Sequence, residues 1–320
     1  MAARSPPVSP TPEAVHLSPE ERRERLRGHL ALGLVQLFFG LFPIFGKWAF
    51  ADFTPRSVAA WRIAAGALAL GAVAFARYGA RALPRRGDWL RFQVCAILGI
   101  VLNMLLYLEG LERSTAVNAG LIMPVIPVFT FAIACLLRQE RFDLLRGAGV
   151  LLAFCGTLVL VLHKGPELSL RTARGNVLML VNAFSYSWFL VLARPLLARH
   201  PPLVVIAWIF LLSAWTLPFF AFGTPLAPAG APAASWASLA FILVFPTVLA
   251  YLLNTYALSK VSASTTAAYI FFQPLITVSV GVAVLDEALA PGALLAAALT
   301  LGGVWLVAGR PAARPLAPRA

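Results

Sequence analysis

From Leu30 to Val307 the chain divides into roughly ten predominantly apolar blocks separated by short polar breaks. A spanning helix needs about 20 such residues, so the pattern predicts ten transmembrane helices. We place them at 30–50, 57–76, 91–110, 114–137, 147–162, 176–197, 203–222, 236–257, 262–284 and 292–309. The breaks are too short to hold a soluble domain, and the expected fold class is an all-α membrane protein. Before the first block, Met1 to Arg27 lacks the short basic start and apolar middle of a cleavable signal. Its prolines (Pro6, Pro7, Pro10 and Pro12) predict disorder, running into a short polar helix at the charged stretch Glu20 to Arg27.

Composition agrees with the pattern. Hydrophobic residues make up 60% of the 320 and charged ones 12%, against about a quarter charged in a soluble domain. Lys and Arg number 26 against 13 Asp and Glu. In a soluble chain that excess would suggest nucleic acid. Here the basic residues cluster in alternate loops, so they are read as orientation signals and no nucleic-acid partner is expected. Threading the blocks from a cytoplasmic N-terminus leaves only Lys47, Arg56, Arg62, Arg113, Lys164, Arg171 and Arg174 at or near the outer face. Both termini are therefore expected in the cytoplasm, with the protein multi-pass in the inner (plasma) membrane. Cys95, Cys135 and Cys155 all sit in apolar runs, and their odd count argues against a disulfide framework.

A constant offset of 147 residues aligns the first half of the chain with the second without a gap. Matched identities include Pro55 with Pro202, Trp61 with Trp208, Trp89 with Trp236, Pro127 with Pro274, Glu140 with Glu287 and Gly156 with Gly303. Coincidence between two Ala- and Leu-rich stretches would match Ala and Leu, but not Trp, Pro and Glu. The organisation expected is a cytoplasmic tail over 1–29, a five-helix repeat over 30–162, an extracytoplasmic linker over 163–175, a second repeat over 176–309 and a cytoplasmic tail over 310–320. Five is odd, so the second repeat enters the membrane in the opposite sense. Inverted repeats make the two membrane faces nearly equivalent, which suits alternating access around a midplane site.

The residues that carry a family resemblance are the stretch Pro55 to Arg62 (PRSVAAWR), Ala116 to Pro127 (AVNAGLIMPVIP), and Glu140 with Gly147 and Gly156. Ala263 to Pro274, Asp286, Glu287, Gly302 and Gly303 repeat them. Together they resemble the drug/metabolite transporter superfamily in its EamA-like branch. The resemblance implies ten spans in two halves and a central cavity formed by spans 1, 3, 4, 6, 8 and 9. It also implies a small-molecule substrate, an amino acid or a related metabolite, moved in the direction of export. A nucleotide sugar or another larger solute of the same superfamily is the alternative within transport; outside it the alternatives are an intramembrane enzyme or a non-transporting interaction protein.

Polar side chains are expensive in lipid and usually face the bundle interior or a wet cavity. The candidate substrate-binding residues are therefore Gln36, Asn103, Tyr107, Asn118, Asn182, Ser185, Tyr186, Tyr251, Asn254 and Gln273. Asn and Gln each offer donors and an acceptor, which suits a zwitterionic or amide-bearing solute; the plainer reading is interhelical hydrogen bonding. Pro124, Pro127 and Pro274 are expected to bend helices and free carbonyls. Arg62, expected a turn or two inside the second span, suggests either an anion contact or a snorkelling bond to carbonyls or headgroups. Glu109 suggests proton coupling or, more simply, a pair with Arg113 four residues on. Trp89 and Trp236 read as interface anchors.

The chain carries no GxSxG, no HExxH, no paired intramembrane aspartates and no Walker motif. Its four histidines fall in tails or at span edges. An intramembrane enzyme, a catalytic residue, a bound metal and any other cofactor are thus not expected, and secondary transport remains, with protons as a candidate coupling ion.

Overall fold

The computed structural model describes residues 18–114, 122–162, 170–276 and 293–308. These are helical almost throughout, with no strand among them. The tail before Ser18, the stretch holding Asn118, the start of the linker at 163–169, the segment holding Asp286 and Glu287, and the C-terminal tail lie outside the described residues.

Helix α1 (Pro19–Ala49) begins well before the predicted position 30. The Ser18 side chain accepts from the Glu21 amide while Glu21 reaches back to the Ser18 amide, a capping box that closes two helix-end donors. Pro19 sits where its missing N–H costs nothing. Residues 19–29, assigned to the tail from sequence, are thus the first turns of α1. Long-range bonds pin them: Arg25 donates to the Ala308 carbonyl at 3.0 Å, Glu24 pairs with Lys260 at 2.8 Å and accepts from the Tyr256 hydroxyl, and His29 bonds the Tyr269 hydroxyl.

Helix α2 (Pro55–Tyr78) starts on a Thr54 cap. Then α3 (Trp89–Ala96) and α4 (Leu102–Glu112) form one rod joined through a π-turn at Ile97–Val101. After α5 (Val125–Leu136) and α6 (Leu144–Leu162) come α7 (Leu170–Leu197) and α8 (Pro202–Leu211). The predicted seventh block does not continue as one helix: a 3-10 turn at Ala214–Thr216 separates α8 from the short α9 (Leu217–Ala221). A second rod, α10 (Ala233–Leu243) and α11 (Ala250–Lys260), is joined by a π-turn at Val244–Leu249. The described chain ends with α12 (Ala263–Ala268), a 3-10 turn at Tyr269–Phe271, and α13 (Ala293–Ala308).

Among the described residues, six helical stretches, taken through their 3-10 and π-turns, are long and apolar enough to cross a membrane: Pro19–Gly46, Pro55–Ala82, Arg86–Glu112, Thr172–Leu197, Pro202–Ala221 and Ala233–Lys260. Val125–Leu136, Leu144–Val159 and Ala297–Ala308 are apolar but shorter. Large apolar side chains also point outward along the bundle, among them Leu68, Leu151, Phe184 and Trp305. Such a surface belongs in lipid.

The two halves pack as exchanged copies. Helix α4 lies on α7, and the equivalent α11 lies on α1; α2 lies on α8, and α6 on α13. The repeated tryptophans explain themselves in these contacts. Trp61 donates to the Leu226 carbonyl and Trp208 to the Ala82 carbonyl, so each half's Trp holds the other half's loop. Trp61 lies edge-on to Trp236 and Trp208 edge-on to Trp89, the same pair with the halves swapped. Trp89 and Trp236 are therefore partners in an interhelical clasp.

Helices α6 and α13 touch backbone to backbone. A methyl group at Gly303 would lie 2.5 Å from both the Ala153 nitrogen and the Gly149 oxygen, whereas one at Gly302 would meet only the end of Leu152 at 3.8 Å. Gly303→Ala should therefore force the helices apart and cost about 1–3 kcal/mol. Gly302→Ala should leave stability unchanged or raise it by roughly 0.5–1 kcal/mol through helix propensity. Thermal melting of the two detergent-purified variants checks the contrast; equal melting temperatures would refute this account of the contact.

Candidate functional site

An open cavity, about 680 Å³ with the solvent at its mouth included, lies among α1, α2, α4, α5, α7, α11, α12 and the segment after α12. The structure brings eight of the sequence-predicted polar residues to its wall, mostly in bonded pairs. Gln273 donates to Gln36 Oε1 at 2.8 Å. Tyr251 donates to Asn103 Oδ1 at 3.0 Å, and the Asn182 amide donates to the Asn103 carbonyl at 2.7 Å. Asn254 donates to the Tyr186 hydroxyl at 3.2 Å. Tyr107 completes the set, with its ring stacked on Phe42. Interhelical bonding and cavity lining, weighed as rival roles, coincide in these residues.

Two candidates stand apart. Asn118 lies outside the described residues. Ser185 does not line the cavity; its hydroxyl donates to the Leu98 carbonyl in the first π-turn.

The π-turns had no place in the sequence reading, and they shape the site. A π-turn lengthens the backbone ladder and leaves carbonyls without their i+4 donors. In the second turn Pro246 removes the amide that would have bonded Ile242, and the Thr247 hydroxyl donates to that carbonyl instead at 2.7 Å. Gly99 holds the equivalent place in the first turn; a Cβ there would meet the Phe189 ring at 2.5 Å, so glycine admits the aromatic side chain.

Arg62 uses the second turn. Its Nε donates to Thr247 Oγ1 at 2.8 Å and one terminal nitrogen to the Pro246 carbonyl at 3.4 Å. The guanidinium carbon sits 4.9 Å from the centre of the Phe42 ring. Arg62 is 3% exposed, so the snorkelling conformation is absent: the side chain turns inward to the cavity wall. No carboxylate lies within ion-pair distance among the described residues. A buried cation held by an alcohol, a carbonyl and an aromatic face can accept an anion.

Glu109 lies elsewhere, paired with Arg113 and, at 3.5 Å, with Arg56. The three prolines stand at or beside breaks in the helical ladder. Pro124 is the N-cap of α5 and Pro127 lies in its first turn, so the helix begins at them. The Met123 carbonyl, expected free, accepts from the Ile126 amide. Pro274 is buried just after the 3-10 turn at Tyr269–Phe271. Glu140 accepts from the Ser264 amide at the start of α12 and pairs with Arg146 at 3.0 Å.

The apolar half of the wall was missed: Val35, Phe39, Phe42, Met123, Ile126, Leu190 and Ile270, with Thr266 beside them. A signal for several of them was present. Under the 147-residue offset Val35 corresponds to Asn182, Phe39 to Tyr186, Tyr107 to Asn254, Met123 to Ile270 and Ile126 to Gln273, and both members of each pair line the cavity.

Comparison with known proteins is consistent with this duplicated design. The model of the EamA-like transporter family matches the chain twice, over 26–162 and 173–309. The starts, 26 and 173, and the ends, 162 and 309, are both 147 apart. An uncharacterized transporter from Archaeoglobus fulgidus is 28% identical over 88% of this chain and 97% of its own. A protein from Streptantibioticus cattleyicolor named "Probable terminal-alkyne amino-acid exporter" is 26% identical over 70% of this chain and 74% of its own. A solved crystal structure superposes with a TM-score of 0.74 over 89% of this chain and 96% of its own; at 18% identity it speaks to the fold alone.

The two acidic clusters should respond differently to truncation. Glu140→Ala breaks a fully buried ion pair together with a helix-end bond and should cost about 3–5 kcal/mol. Glu109→Ala breaks pairs with arginines that are 37% and 49% exposed and should cost roughly 0.2–1 kcal/mol. Melting of both variants in the same detergent reads the difference, and a larger loss for Glu109→Ala would contradict it.

Proposed function

The chain belongs to the EamA-like transporter family of the drug/metabolite transporter superfamily, and from that premise we propose a secondary carrier that exports an amino acid or a related small metabolite. The transport mode is alternating access, with two inverted repeats of five spans each and the cavity near the bilayer midplane. The polar residues of its wall, from Gln36 to Gln273, are the substrate-binding set.

One observation carries the substrate class. Arg62 brings a buried positive charge to a cavity whose described lining holds no carboxylate. A solute carboxylate is the natural partner for its free N–H groups. The amide oxygens of Gln36 and Asn103 and the tyrosine faces suit an ammonium group. Phe39, Phe42, Met123, Ile126, Leu190 and Ile270 favour an apolar side chain. Export is supported by the printed name of the Streptantibioticus relative. The described lining offers no carboxylate or imidazole to carry a coupling proton.

Reconstituted vesicles loaded with labelled L-leucine or L-phenylalanine test the reading. Saturable flux is expected, inhibited by the free acids and at least tenfold more weakly by leucinamide and phenylalaninamide, which lack the carboxylate. Arg62→Gln should raise the apparent KM about tenfold or more, as befits a lost charged hydrogen bond of roughly 1.5–3 kcal/mol, while the protein stays monodisperse. Amides that compete as well as the acids, or an Arg62→Gln carrier with unchanged KM, would overturn the assignment.

A further inference from the structure

We infer that the carrier is an exchanger: it crosses readily between its two access states only with a carboxylate-bearing solute on Arg62, so export of one such solute is coupled to entry of another. The inference rests on the proposed role of Arg62 as the carboxylate contact, and extends it from binding to the transport cycle.

Among the described residues, no carboxylate is paired with Arg62, and the negative charges within the bundle are engaged elsewhere. Asp88 is held by Arg199 at 2.7 Å and His200 at 2.9 Å, Glu140 by Arg146 and the Ser264 amide, and Glu24 by Lys260. Glu109 faces Arg56 and Arg113, and Asp52 accepts from Ser235. All are engaged away from the cavity wall. Of the internal stretches outside the described residues, 115–121 carries no acidic residue in its sequence, while 163–169 holds Glu167 and 277–292 holds Asp286 and Glu287. Tyr107, Tyr186 and Tyr251 line the same cavity with hydroxyls and rings.

A carrier must close its cavity on both sides as it changes access. With a carboxylate in place, the enclosed charges cancel. Without one, closure strips a lone guanidinium of bulk water, and its two hydrogen bonds occupy only two of five N–H groups. An uncompensated charge inside a bilayer-spanning bundle is costly. The empty return is therefore the slow step. Arg62 also stands on the first half and bonds the π-turn of the second, so relative movement of α2 and that turn disturbs both of these bonds. A bound carboxylate replaces what the movement takes away. No coupling proton is needed in this cycle: the exchanged solute itself permits the return.

The test uses the full chain in vesicles loaded with labelled L-leucine or L-phenylalanine, whichever moves faster. Efflux is followed into buffer alone, into buffer with the unlabelled acid, and into buffer with its amide, each at low and high chloride. The external acid should accelerate efflux at least tenfold, and the amide or chloride should not. In Arg62→Gln, verified to melt like the parent, residual flux should show no acceleration by the external acid. Equal efflux with and without external acid, full acceleration by chloride alone, or acceleration that persists in Arg62→Gln would each overturn exchange. If flux is saturable and Arg62-dependent but unaccelerated, the carboxylate site stands and exchange fails. If neither amino acid shows Arg62-dependent flux, the substrate reading and the exchange inference fall together.

Discussion

Backbone carbonyls that lose their helical donors inside a bilayer have no water to turn to, and this constraint organises the centre of the protein. Each rod of the bundle carries one π-turn, and each turn is served by the opposite half. Ser185 and Tyr251, from the second half, reach Leu98 and Gly99 in the first turn. Arg62, from the first half, reaches Pro246 and Thr247 in the second. The helical defects thereby tie the repeats together across the cavity they surround. A straight rod would satisfy its own ladder and leave these side chains nothing to hold.

Duplication supplies a scaffold with equivalent positions, and divergence gives the positions different chemistry. Asn182, Tyr186 and Gln273 are polar where Val35, Phe39 and Ile126 are not, although all six line one space. Arg62 is the sharpest case, since its counterpart is the buried Ile209. A two-fold scaffold can thus present an ordered, one-way-round site to a solute with a charged end and an apolar end. The structural pairs, by contrast, stayed alike: Trp61 with Trp208 and Trp89 with Trp236 make the same clasp in both halves.

Much of this was legible before the structure because the signals were chemical and sparse. Rare residues at a fixed offset revealed the repeat, and amides and tyrosines in apolar blocks marked the cavity wall, since burying them in lipid without a purpose is costly. What escaped was geometric or common. The Ser18 and Glu21 capping box is a readable signature, yet the hydrophobic block alone was used to start α1. A π-turn leaves little trace in hydropathy; Pro246 and Gly99, aligned by the repeat, were the only hints. Phe42 and Leu190 look like any core residue, because apolar side chains face lipid, core and cavity with equal ease.

The arrangement of contacts also constrains how access can alternate. Helix α1 packs on α10 and α11, and α7 packs on α3 and α4, so each half's first helix is embedded in the other half. The repeats cannot then rock as two separate blocks, because their main interfaces are interleaved through one shared core. The units that shift relative to one another must mix helices from both repeats, and the lines of division must run through contacts that can be remade. The bonds around the cavity fit that demand. Gln36 with Gln273, Asn103 with Tyr251 and Arg62 with Thr247 all cross between repeats. The two neutral bonds contribute only about 0.5–1.5 kcal/mol net each, and the Tyr251 hydroxyl has a second acceptor in the Gly99 carbonyl at 3.4 Å. The backbone contact of Gly149 with Gly303 has no such freedom, so in the proposed alternating access α6 and α13 are the fixed pair against which the cavity helices would move.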